Sequence, residues 1–257
     1  MDEKNIYDLL AQKPIIIAGP CSVESKDQIE KVAEYVSKLG IKFLRGGAYK
    51  PRTSPDSFQG MGLEGAKLLK SAAGKYGLYT VSEVLTIEDL KESYDYIDII
   101  QIGSRNMASY GLLKQIAELN KDDKKPIILK RHFAATITEF LKASDYLAHY
   151  GNNNIILCLR GIRTFEQIDS SLRFTPDFGA ILDLKDKTDY PIIFDPSHPA
   201  GERKYVSSLS RAAMEIGADG LMIEIHPNPD EALSDKDQAM FLDDFGELMR
   251  NINSTHN

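Results

Sequence analysis

The sequence predicts a single (β/α)8 barrel, on three observations. Strand-like and helix-like stretches alternate eight times along 257 residues. Several strand-like runs are apolar without alternation, as parallel strands covered on both faces are. Charged residues recur just beyond the ends of those runs, which is where such a barrel carries its site. An open doubly wound sheet, usually of five or six strands, would leave units over. No linker, low-complexity tract or compositional break marks a second domain, so residues 1–257 read as one unit.

The elements follow in order. Residues 14–18 (PIIIA) form the first strand, and 26–39 space Ile29, Val32, Ala33, Val36 and Leu39 at helical intervals before stopping at Gly40. Strand 41–45 leads through the Gly- and Pro-rich stretch GGAYKPRTSPDSFQG to helix 63–76, closed by Gly77. Next come strand 78–82 with helix 87–93, strand 97–102 with helix 107–119, and strand 126–130 with helix 136–150. Strand 154–158 precedes a less regular helical region reaching about residue 184. Strand 191–194 pairs with helix 203–216, and strand 220–225 with helix 237–252, after which the tail NSTHN is expected to fray.

Composition excludes several classes. Lys and Arg total 31 against 38 Asp and Glu, a net charge of −7, which argues against a dedicated nucleic-acid binder. Two cysteines, Cys21 and Cys158, cannot staple a secreted scaffold. No apolar run approaches the roughly 18 residues of a membrane helix, and the acidic start MDEKNIYDLLAQK lacks a signal-peptide core. A reducing cytoplasmic compartment is the expectation.

The strand ends collect chemistry. Arg45, Lys50, Arg52, Arg105, Lys130 and Arg160 form a cationic set in an acidic protein, with Arg131, Arg163 and Glu83 close by in sequence. One such residue reads best as a solvated loop cation, but the set does not. Converging like charges repel unless an anion sits among them, and Arg and Lys suit phosphate and carboxylate. A small substrate with more than one anionic group fits. Cys21, His198, Glu224 and Asp235, from the first, seventh and eighth units, form a mixed-ligand set for one divalent ion. Those donors accept Mn, Fe, Co or Zn. Alone, Cys21 reads as a small buried hydrophobe and His198 as a loop histidine. Cys158 lies within a strand and reads as core. His226 shares the parity of Glu224, with a supporting role as plausible as ligation, while His149 and His256 read as surface. Gly46 and Gly47 permit a sharp turn and close approach to a ligand.

These segments resemble those of 3-deoxy-D-arabino-heptulosonate 7-phosphate (DAHP) synthases, most closely the short type I subgroup related to 3-deoxy-manno-octulosonate 8-phosphate (KDO8P) synthase. GPCSVES, LRGGAYKPRTSP, QIGSRNM, CLRGIRTFE, DPSHPAGER and EIHPNPDEALSD match family segments in order, from about Ile15 to Met240. The resemblance implies a metal-dependent condensation of phosphoenolpyruvate with erythrose 4-phosphate that opens the shikimate route to aromatic amino acids. It puts metal ligation on Cys21, His198, Glu224 and Asp235, phosphoenolpyruvate binding on Arg45, Lys50, Arg105, Lys130 and Arg160, and the aldehyde's phosphate on Arg52 and Thr53. The implied mechanism has Lys50 protonate the new alkoxide and Glu83 orient water. The KPRTS segment favours the four-carbon aldehyde over arabinose 5-phosphate, the KDO8P synthase substrate. A homotetramer is implied as well. Relatives often carry an added regulatory domain; with only residues 1–13 before the first strand, none is expected, nor inhibition by Phe, Tyr or Trp through one.

Two positions depart from the family pattern. His132 stands where Gly is expected after Lys130–Arg131, and Leu159 where Glu is expected before Arg160. Alternation points Leu159 away from Arg160, which predicts an effect on packing. A barrel that binds sugar phosphates without catalysis, and a metal-dependent aldolase, are the competing classes. The retained ligand types and the full cationic set weigh against the first, and the second would not need so many phosphate-binding cations.

Overall fold

The computed structural model describes residues 5–52, 54–165 and 173–255. Eight parallel strands close on themselves: β1 (Ile15–Gly19), β2 (Phe43–Arg45), β3 (Tyr79–Val84), β4 (Ile99–Ile102), β5 (Ile127–Lys130), β6 (Ile155–Leu159), β7 (Ile192–Phe194) and β8 (Gly220–His226). Each lies beside its sequence neighbour, and β8 returns to β1 with Ile15 opposite Gly220 and Gly19 opposite Glu224. The helices are α1 (Ile6–Leu10), α2 (Lys26–Lys38), α3 (Gly62–Tyr76), α4 (Ile87–Ser93), α5 (Tyr110–Leu119), α6 (Ile137–His149), α7 (Gly179–Lys185), α8 (Ser197–Ala200), α9 (Arg203–Glu215) and α10 (Leu242–Thr255). This is the predicted (β/α)8 barrel. Among the described residues no helix is long and apolar enough to cross a membrane.

Local chemistry sets the boundaries. Thr86 and Thr136 open α4 and α6 with reciprocal capping boxes to Asp89 and Glu139. Ser25 caps α2 by accepting from the Gln28 amide at 3.1 Å. Some boundaries differ from expectation. Ser104–Asn106 form a 3-10 turn, so the helix expected from 107 begins at Tyr110. Of the helical region expected after β6, residues 166–172 lie outside the described residues; among the described ones α7 begins at Gly179, and Thr175 pairs as an isolated bridge with Ile162. The last helix starts at Leu242 because Met240–Phe241, a short strand β9, extends the pairing of β8, and it then runs to Thr255.

Strand alternation produces two apolar layers. Ile16, Ala18, Ile100, Leu129, Leu157, Leu159 and Ile223 face the helices, as predicted for Leu159. Ile15, Ile17, Phe43, Val81, Ile99, Ile128, Ile156, Cys158, Ile193 and Met222 fill the barrel interior. Burying each such side chain contributes about 1.5–3 kcal/mol. Leu10 of α1, an element the sequence reading missed, joins the interior cluster at the amino-terminal end of the strands and floors the barrel.

Candidate active site

On seven of the eight strands, β1 being the exception, the same parity turns polar two residues beyond the last interior apolar side chain. Phe43 gives way to Arg45, Val81 to Glu83, Ile99 to Gln101, Ile128 to Lys130, Cys158 to Arg160, Ile193 to Asp195 and Met222 to Glu224. The pleat therefore stacks a ring of polar groups on an apolar floor, at the carboxyl ends of the strands. Above it opens a cavity lined by seven cations, Arg45, Lys50, Arg52, Arg105, Lys130, Arg160 and Arg173, against the carboxylates Glu83, Glu224 and Asp235. His198, Phe133 and Phe174 share its wall. Thr53 lies outside the described residues, as does His256; His149 is exposed.

Each cation is held differently. Arg45 Nη1 donates to Glu224 Oε1 at 3.1 Å, while its buried Nε has no partner. Lys50 Nζ donates to the Cys21 carbonyl at 3.0 Å and to Cys21 Sγ at 2.9 Å. Burial works against its charge, but Cys21, Glu224 and Glu83 outweigh that and raise its pKa. Lys130 Nζ donates to Asp195 Oδ2. Arg105 reaches the Pro51 carbonyl at 3.2 Å. Arg160 is the least satisfied: Nε and Nη1 are buried without a partner among the described residues, and burial pushes its pKa down to about 10. Arg131 turns away to Asp177 and the Ala135 carbonyl, and Arg163 lies over the Phe133 ring.

Next to Arg45 and Lys50, one ligand atom each from Cys21, Glu224 and Asp235 lies within 4.8 Å of the others. The Cys21 thiol donates to Asp235 Oδ2 at 3.0 Å, and burial beside Glu224 pushes it up to about 12. Burial alone would raise the Glu224 and Asp235 pKa values. Opposing charge outweighs it and holds both low: His198 when protonated, with Arg45 for Glu224 and Lys50 for Asp235. His198 stands outside this tight group. Its Nδ1 meets Asp195 Oδ2 at 2.7 Å, and since a carboxylate only accepts, Nδ1 carries the proton and Nε2 keeps its lone pair. Burial keeps the ring below its ordinary pKa, in the neutral form.

Glu83 accepts from Gln101 Nε2 at 3.2 Å. Gly103 makes room for it: a Cβ there would stand 1.7 Å from Glu83 Oε1. The close approach read for Gly46 and Gly47 is to the protein itself, since a Cβ would meet Val23 at 2.8 Å and the Cys21 carbonyl at 2.6 Å. His132 is half-buried and stacks on Phe133 at 4.1 Å; burial and the nearby Arg160, Arg105 and Arg163 lower its pKa. The sequence reading missed Asp195 and Gln101, which strand parity could have found. It also missed Arg173, Phe174 and Gln238, for which no periodic signal exists. Gln238 donates to Glu224 Oε2 at 2.6 Å, and Arg173 to Asp235 Oδ1 at 3.2 Å.

The model of the DAHP synthetase I family matches residues 8–256. The chain belongs to the DAHP synthetase I family. It is an enzyme of that family, 48% identical over 237 residues to the phospho-2-dehydro-3-deoxyheptonate aldolase of Thermotoga maritima, a match covering 92% of this chain and 68% of that protein. The crystal structure of that protein aligns with a TM-score of 0.87 at 46% identity, over 93% of this chain and 68% of that one. A 2-dehydro-3-deoxyphosphooctonate aldolase of Fusobacterium nucleatum is 32% identical, covering 92% of this chain and 88% of that protein.

Proposed function

We propose that this enzyme condenses phosphoenolpyruvate with erythrose 4-phosphate and water to give DAHP and phosphate, the first step of the shikimate route. The observation that carries this is the buried, unpartnered guanidinium edge of Arg160, beside the unpartnered Nε of Arg45, within a cavity where cations outnumber carboxylates. Such donors are costly to bury unless an anion completes them. The near relation to the Thermotoga protein, 48% identical, favours the four-carbon aldehyde.

The donors fit a divalent ion: a thiol and two carboxylates converge, and His198, which lines the same cavity, keeps Nε2 unprotonated. Such an ion, when bound by Cys21, His198, Glu224 and Asp235, supplies Lewis acidity toward the aldehyde oxygen. The side chains do the rest. Arg45, Arg105, Lys130 and Arg160 neutralise the carboxylate and phosphate of phosphoenolpyruvate, and Arg52 with Thr53 holds the aldehyde's phosphate. Carbon 3 of phosphoenolpyruvate attacks the aldehyde carbon, and Lys50 Nζ protonates the alkoxide that forms. Water oriented by Glu83 adds at carbon 2, and the hemiketal phosphate expels phosphate. Positioning and preorganised charge supply most of the rate.

In this reading residues 1–257 act as one catalytic barrel, assembled as a cytoplasmic homotetramer. The test is phosphate release from phosphoenolpyruvate with erythrose 4-phosphate or arabinose 5-phosphate, with and without chelator. Turnover with the four-carbon aldehyde, lost in chelator and restored by added metal, is expected. Preference for arabinose 5-phosphate would move the enzyme to the octulosonate branch of the family, and full activity in excess chelator would remove the metal.

A further inference from the structure

Beneath the Cys21–Asp235 contact lies a buried polar knot that the proposed chemistry does not use. It joins the loop after β1 to the loop after β8. Glu24, with a side chain about nine-tenths buried, accepts from the Leu233 amide at 2.9 Å and from the Ser22 hydroxyl at 3.2 Å, both through Oε1. Ser22 Oγ also meets Ser234 Oγ at 2.5 Å. Because the carboxylate only accepts, Ser22 spends its proton on Glu24, so Ser234 donates to Ser22. The hydrogen bonds thus run in one direction across the two loops. His226 closes the far side: Nδ1 accepts from the Asn228 amide at 3.1 Å, which leaves the proton of the neutral ring on Nε2, facing Glu24 Oε2 across 3.5 Å. That Nε2 makes no hydrogen bond of its own.

The residues flanking the knot explain its use. Cys21 directly precedes Ser22, and Asp235 directly follows Ser234. Asp235 has φ +46°, in the left-handed region. Few non-glycine residues adopt that conformation; Asp does so more readily than most, and the loop's contacts then hold it there. On its carboxyl side the Gln238 and Ala239 amides hold the Asp235 carbonyl, and Arg173 holds its side chain; on its amino side the anchors are Ser234 and the Leu233 amide, both tied to Glu24 or to its partner Ser22.

We infer that Glu24 is a positioning residue: its carboxylate clamps the β8 loop to the β1 loop and so holds Asp235 against Cys21, preforming the pair for a divalent cation. The contact it sets stands at 3.0 Å between Cys21 Sγ and Asp235 Oδ2. The clamp itself is a property of the free protein; its use for a cation rests on the proposed function. Glu24 touches neither substrate nor cation and acts through the two loops.

The test uses the full 257-residue chain stripped of metal, as wild type, Glu24→Ala and Glu24→Gln. Two readouts are taken: Zn2+ affinity by chelator competition, and the iodoacetamide labelling rate of Cys21, resolved from Cys158 by peptide mass spectrometry. Glu24→Ala is expected to lose about 10- to 100-fold in Zn2+ affinity, the range for groups that orient metal ligands, and to label Cys21 several times faster. Glu24→Gln keeps an acceptor oxygen for Leu233 and Ser22 and is expected to stay close to wild type in both. Glu24→Ala matching wild type in both readouts overturns the inference, as does Glu24→Gln failing as badly as Ala. Should Glu24→Ala not fold, Ser234→Ala breaks the same chain of hydrogen bonds and carries the same expectation, reduced in size. If the wild type binds no Zn2+, the metal reading fails, while the labelling rates still decide the clamp.

Discussion

The guanidinium of Arg160 sits 4.1 Å from the centroid of the Phe174 ring, while its Nε and Nη1 have no partner. The ring fixes the plane of the fork and leaves its donor edge for an anion. Arg160→Ala is therefore expected to raise the KM for phosphoenolpyruvate about 100-fold, the loss of one or two charged hydrogen bonds at about 1.5–3 kcal/mol each. Arg160→Lys keeps the charge but not the fork and should recover only part. Phe174→Ala removes a cation–π contact of about 0.5–2 kcal/mol and should cost roughly 2- to 30-fold. Steady-state kinetics check all three, and an unchanged KM in Arg160→Ala would remove this residue from the anion site.

Asp195 fixes the proton on His198 Nδ1 and so frees Nε2. In Asp195→Asn the amide can donate instead, which moves the imidazole proton to Nε2 and blocks ligation. Metal affinity is expected to fall about 10- to 100-fold, read by chelator competition on the stripped protein. Wild-type affinity in this variant would exclude His198 Nε2 as a ligand.

What was legible in the sequence follows from periodicity. Strand parity carries Arg45, Lys130, Arg160 and Glu224 into one ring, because each lies two residues beyond an interior apolar side chain. Asp195 and Gln101 obey the same rule, but the residues taken beyond those two strands were His198 and Arg105, which lie further along the loops. Arg173 and Phe174 arrive from a stretch with no repeat, and only tertiary contact with Asp235 and Arg160 gives them meaning. Helix α1, five residues long, is too short to show a 3.6-residue period. The true start of α10 was hidden because Met240 and Phe241, apolar enough for a helix, are taken by pairing with β8.

Leu10 tests the floor supplied by that missed helix. It is buried against the interior cluster that includes Ile15 and Phe43. Leu10→Ala is expected to destabilise the fold by about 2–3 kcal/mol, at the low end for a buried leucine because α1 can settle inward. At this chain length that lowers Tm by roughly 5–10 °C. Differential scanning calorimetry reads it, and a change within 1 °C (an order-of-magnitude threshold on the same scale) would show that α1 does not seal the barrel.

Asp219 predicts how acid affects the fold. It precedes β8, accepts from Lys185 Nζ at 2.6 Å and from the Ile192 amide at 2.8 Å, and pairs with Lys13. Burial would raise its pKa, but those donors outweigh burial and hold it below the ordinary value. A carboxylate with a lowered folded-state pKa stabilises fully above its unfolded value of about 3.9, and loses that contribution as pH falls through the folded one. Asp219→Asn keeps an acceptor for Ile192 but loses the charge, so at pH 7 it should be less stable by about 1–2 kcal/mol. On acidification the wild type loses this advantage, so the gap should narrow as pH falls below the unfolded value of about 3.9. Urea midpoints at pH 7 and pH 3 measure this. A gap that stays constant with pH would show that the Asp219 charge contributes nothing to the join between β7 and β8.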